Sequence, residues 1–86
     1  MIAYNKSDLE NNLLSQEAKL FLKTKYLNDS DSYESVDWSK VIEVNSNTYR
    51  VRHKFRAKNE YGALVIENKI FSLDSLGNVT DMLDVN

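Results

Sequence analysis

From Tyr49 to Lys58 every second residue is cationic and those between are mostly apolar or aromatic, Tyr-Arg-Val-Arg-His-Lys-Phe-Arg-Ala-Lys. Successive side chains on a β-strand point to opposite faces, so this alternation predicts a half-buried strand. One face carries Tyr49, Val51, His53, Phe55 and Ala57. The other carries Arg50, Arg52, Lys54, Arg56 and Lys58, and it includes all three arginines of the chain.

The strands around it follow from the same logic. Val36, Trp38, Ile42 and Val44 alternate through a preceding strand, which has to tolerate Lys40 on its apolar face. Asn45-Ser46-Asn47 turns the chain without glycine, because asparagine tolerates left-handed backbone conformations. Asn59-Glu60-Tyr61-Gly62 leads into a third strand, about Ala63 to Leu73, and Asp74 to Asn78 leads into a fourth at Val79 to Leu83. A turn on Ser46-Asn47 sets Glu43 opposite Arg50, Ile42 opposite Val51 and Trp38 opposite Phe55. A turn on Asn59 to Gly62 sets Glu67 opposite Lys54, Ile66 opposite Phe55 and Asn68 opposite His53. Phe71 and Leu73 then point outward unless a bulge near Lys69 brings them in.

Ahead of the strands, Ser7 and Glu10 form a capping-box pattern that opens a helix from about residue 8 to 26. Leu14, Ala18, Phe21 and Leu22 gather on one side, and Leu9, Leu13, Leu20 and Leu27 form a second apolar stripe. Two uses fit that second stripe: core covering a sheet edge, or self-association through Leu13, Leu20 and Leu27. The expected fold is α+β, an N-terminal helix packed on a four-stranded antiparallel meander at about residues 36–83, with residues 1–86 as one domain.

A chain of 86 residues without cysteine or proline and with two glycines excludes a good deal. Thiol chemistry, disulfides and cysteine metal sites are absent. No nucleophile elbow, phosphate loop or dinucleotide fingerprint is present, so no cofactor is expected and enzyme is the third-ranked class. The lone His53 falls on the apolar face, where a neutral ring bonded to a neighbour such as Asn68 is expected. Asp29, Asp31, Glu34 and Asp37 offer oxygen ligands within nine residues. Aligned as a calcium loop, however, they put Glu34 where glycine is needed and Lys40 where the bidentate glutamate belongs, so backbone capping is the favoured role. No apolar run approaches a signal-peptide core or a membrane span. The expectation is a soluble chain, cytoplasmic by default and exported if a leader has been removed.

Leu27 to Glu34 (Leu-Asn-Asp-Ser-Asp-Ser-Tyr-Glu), Val51 to Asn59 and Tyr61-Gly62 together resemble a group of small bacterial α+β domains of unknown function. In that group a helix ends in Leu-x-Asp-Pro-x-Ser, and a strand ends in Arg-Ala-Lys-Asn before an aromatic-glycine turn. Several members are exported or lipid-anchored. Here Ser30 stands in place of the proline and Ala63 in place of a second glycine. The resemblance implies a domain type and no catalytic residue.

The cationic row, counted with Lys69, is the main functional candidate: Arg50, Arg52, Lys54, Arg56, Lys58 and Lys69. A solvated face partly neutralised by Glu43 and Glu67 would explain it. So would the docking of an acidic protein or of a carboxylate- or phosphate-bearing ligand, for which arginine's two-pronged geometry suits. Nucleic acid is disfavoured, because the net charge is −2 and stacking aromatics are missing from the row. The reading is a non-enzymatic binding or assembly module whose partner is another protein or a second copy.

Overall fold

The computed structural model describes residues 13–85. Over these residues the fold is α+β, with one α-helix against an antiparallel sheet of five strands. The Ser7–Glu10 capping pattern and Leu9 lie outside the described residues. Helix α1 spans Leu14–Phe21 and runs on into a π-helical turn, Leu22–Tyr26. Leu14, Ala18 and Leu22 are fully buried, four residues apart on one helix face. The wider turn closes with the Leu27 N–H on the Leu22 carbonyl at 2.9 Å, and Leu27 then turns extended.

Strands β1 (Glu34–Trp38) and β2 (Ile42–Asn45) both pair antiparallel with β3 (Thr48–Lys58), which pairs with β4 (Leu64–Asp74), which pairs with β5 (Val79–Asp84). The expected first strand is therefore one edge broken in two, and five strands occupy four columns. Ser39 keeps the break bonded, its N–H on the Arg52 carbonyl at 2.9 Å and its Oγ accepting the Arg52 N–H at 2.8 Å. Val41 is buried in the gap and Lys40 is exposed, which removes the conflict of a lysine on an apolar face.

The registers differ from expectation, by one residue along β2 and β4 and by two at Trp38. Ile42 lies opposite Arg50, Glu43 opposite Tyr49 and Trp38 opposite His53, with irregularities between Ser35 and Asp37 and between Glu43 and Asn45. On the other side Asn68 lies opposite Lys54, Glu67 opposite Phe55 and Lys69 opposite His53. The β3–β4 ladder runs unbroken from Thr48–Asp74 to Lys58–Leu64, so no bulge occurs near Lys69. Phe71 and Leu73 reach the core because the whole strand is shifted by one.

The core lies between α1 and the inner sheet face, where Tyr49, Val51, Phe55, Ala57, Phe71 and Leu73 are buried. Phe21 meets Phe71 edge-on, ring centroids 6.5 Å apart. Among the described residues no helix is long and apolar enough to cross a membrane.

Candidate binding face

Alternation along β3 sends its cations to the side away from α1, and register decides what joins them. Arg50 lies beside Ile42 and Ser72, Arg52 beside Ile70, Lys54 beside Asp37 and Asn68, Arg56 beside Glu34 and Ile66, and Lys58 beside Leu64. Ile70 is in turn opposite Leu83 on β5. A column of five cations therefore runs parallel to a β4 column of Leu64, Ile66, Asn68, Ile70 and Ser72, three of them aliphatic. Ile42, Leu64, Ile66 and Leu83 are each more than half exposed, so this face is amphipathic rather than simply basic. The aliphatic members were not expected from sequence. The signal for them was the pair Phe71 and Leu73, whose inward demand sets the phase of β4 and turns Leu64, Ile66 and Ile70 out.

The neutralising acids also differ. Glu43 and Glu67 pair in register with inward-facing Tyr49 and Phe55, so neither flanks the cationic row. Their place is taken by β1. Arg52 meets Asp37 at 3.3 Å and also donates to Asn68 Oδ1 at 3.2 Å, and Arg56 bonds Glu34. Both pairs are solvent-accessible, the acids more than half exposed, so each contributes about 0–1 kcal/mol. Arg50, Lys54 and Lys58 have no side-chain ion pair among the described residues. A shallow apolar dimple of about 140 Å³ opens between Ile42, Arg50, Arg52 and Ile70, at the break in the edge strand.

Lys69 does not belong to this face. It points inward and is almost fully buried. Its ammonium is bonded to Asp84 and lies 3.3 Å from Glu67 and 5.0 Å from the centre of the Tyr26 ring. Tyr26 in turn donates to Glu67 at 2.9 Å. Burial disfavours the charge, but the carboxylate of Asp84, with Tyr26 and Glu67, outweighs it and holds the lysine above its ordinary range.

His53 is buried, as expected, though not against Asn68, which is on the other face. Its Nδ1 lies 2.9 Å from the Asp37 carbonyl, which can only accept, so Nδ1 carries the proton. Nε2 then accepts from the Tyr33 hydroxyl at 2.5 Å. Trp38 stacks flat on the ring, centroids 3.4 Å apart. Burial pushes the imidazole below its ordinary value; the Asp37 carbonyl and carboxylate oppose that, and Lys19 and Arg52 add to it. With both ring nitrogens occupied, this is a clamp tying β1 to β3.

The acidic segment likewise disperses. Asp29 opens a 3-10 turn, Ser30–Ser32, while Glu34 and Asp37 go to the arginines. Ser32 Oγ donates to the Asp29 carbonyl at 2.6 Å and accepts the Lys58 N–H at 2.8 Å. Asn59 Oδ1 accepts from the Tyr61 and Ala63 N–H groups, and Gly62 takes φ +79°. The residues carrying the resemblance thus sit at turns and at the His53 clamp. Among the described residues no group of three or more His, Asp or Glu could hold a metal ion.

Of the helical stripe, Leu27 packs against the core and Leu13 is half-buried, leaving Leu20 as its exposed member among the described residues. Leu20 borders a groove of about 370 Å³ with Phe21 and Val79. No protein-family model matches the chain, and comparisons with curated proteins and with solved structures found no match.

Proposed function

We propose that the chain is a non-enzymatic protein-binding module whose working surface is the open face of its sheet. One observation carries the reading: a row of cations among the exposed aliphatics Ile42, Leu64, Ile66 and Leu83, on a face that no described element covers. Exposed apolar side chains next to charged ones mark interaction surfaces, and arginine serves such interfaces through both its stem and its planar head. Arg50 and Lys54 are the effective cations, because Arg52 and Arg56 are already answered by Asp37 and Glu34. The sheet edges are poorer candidates. One is broken at Ser39 to Val41 and bulged, and the other carries Asp81 and Asp84, devices that discourage strand addition.

A carboxylate- or phosphate-bearing small ligand held by the same cations is the second reading, favoured by the absence of any ion pair on Arg50 and Lys54 among the described residues. Self-association is supported less than the helix pattern implied, since among the described residues its stripe narrows to Leu20.

The test compares three tagged proteins in pull-downs from an extract of the source cells. Arg50→Ser with Lys54→Ser should lose a polypeptide that both the parent and Leu20→Lys retain, with all three melting within a few degrees of each other. Loss through Leu20→Lys alone would move the interface to the helix. No loss in either variant would leave the open face without a role.

A further inference from the structure

We infer that the occupant of the open face is an amphipathic α-helix of a partner chain, laid along β3 and β4 with carboxylates down one flank and an apolar ridge beside them. This rests on the preceding reading of the face and adds the shape and charge pattern of what binds it. Alternate residues of a strand are about 6.6–6.8 Å apart, and four residues of an α-helix rise about 6.0 Å. Glutamates at positions i and i+8 therefore keep step with Arg50 and Lys54, with i+4 beside Arg52, drifting by about 1.5 Å over the span, well within the reach of arginine and lysine stems. A helix about 10 Å wide covers two strands about 4.8 Å apart, here the cations of β3 and the Leu64, Ile66 and Ile70 side of β4. The ridge would rest on Ile66 and Ile70. The dimple between Ile42, Arg50, Arg52 and Ile70 has room for one aliphatic side chain, the kind of buried anchor on which helix-in-groove recognition depends.

A second copy fits this pattern poorly. The described helix has Glu17 as its one acid, against Lys19, Lys23 and Lys25, so it would bring like charge to the row. The remaining acids of the described residues are scattered over turns and over β1, β2, β4 and β5 rather than ranked at a helical spacing.

The experiment uses two synthetic helical peptides of about 18 residues and identical composition. In one, glutamates at i, i+4 and i+8 flank a leucine ridge; in the other the same glutamates are spread around the helix. Binding to the chain is read by fluorescence anisotropy. The matched peptide should bind roughly tenfold tighter than the spread one, and this advantage should shrink as salt approaches about 0.5 M. Arg50→Ser with Lys54→Ser should weaken the matched peptide more than Arg52→Ser with Arg56→Ser, and Ile70→Asp should weaken it as well. Equal binding of both peptides, abolished by the Arg50/Lys54 pair, would overturn the helical pattern while sparing the face. Binding indifferent to all face variants would overturn the face itself. Capture by phosphatidylglycerol vesicles without discrimination between the peptides would replace the helix with a membrane surface.

Discussion

Replacing Tyr33 with Phe tests the His53 clamp with the loss of one atom. The Tyr33 hydroxyl is the donor to Nε2 of a ring with 0% exposure, while Nδ1 is committed to the Asp37 carbonyl. Removing the hydroxyl leaves a buried acceptor unpaired, which costs about 1–3 kcal/mol in general. Tyr33 is half-buried, so water can partly take its place, and the expected loss is about 1–2 kcal/mol. In a domain of this size that lowers the melting temperature by roughly 5–15 °C near neutral pH. The tilted ring contacts are kept, since Phe fills the same space against His53 and Phe55.

The control is the same change in a His53→Phe background, where no acceptor remains to be orphaned. There Tyr33→Phe should be nearly neutral, and the difference between the two backgrounds measures the bond. The parent protein adds a pH arm. Its imidazole is depressed by burial, so the stability it contributes is present above the unfolded value of about 6.5 and falls away as pH drops from there towards the folded value. An NMR titration of the ring reads that value directly. Equal costs of Tyr33→Phe in both backgrounds, or a ring titrating at or above 6.5, would refute the clamp.

Two further changes probe the scaffold. Ser30→Pro should raise stability by about 0.4–1 kcal/mol, because Ser30 opens the 3-10 turn, where proline's fixed φ is already suited, and the turn uses the Ser30 carbonyl at 3.3 Å from the Tyr33 N–H. A lower melting temperature would show that the Ser30 N–H or side chain is needed. Lys69, held above its ordinary range by Asp84, Tyr26 and Glu67, contributes stability that is complete below the unfolded value of about 10.4 and is lost as pH rises through the folded one. Urea midpoints should therefore fall above about pH 10.4, and Lys69→Met should flatten that decline; an equal decline in Lys69→Met would assign it to other groups.

How the face came to be amphipathic explains what the sequence could and could not convey. Alternation from Tyr49 to Lys58 assigns β3 and both of its faces correctly, because ten residues of period two leave no other solution. The phase of β2 and β4 depends on the lengths of the turns that join them to β3, and one residue more or less inverts a strand. The β3–β4 connection spans five residues, Asn59 to Ala63, with Asn59 Oδ1 accepting two N–H groups inside it, rather than the four that the Asn-to-Gly pattern suggested. The arbiter was packing. Phe71 and Leu73 sit opposite Val51 and Tyr49 beneath α1, where burying both is worth several kcal/mol. Satisfying them puts Glu67 and Lys69 on the inner face. That is tolerable because Tyr26 and Asp84 complete a polar network around them. The same shift forces Leu64, Ile66 and Ile70 outward. A β4 chosen only for a solvated sheet would carry polar residues at those positions. Their aliphatic character is therefore unexplained by the core, and it joins the cations Arg50 and Lys54, unpaired among the described residues, as the pattern expected of a surface completed by another chain.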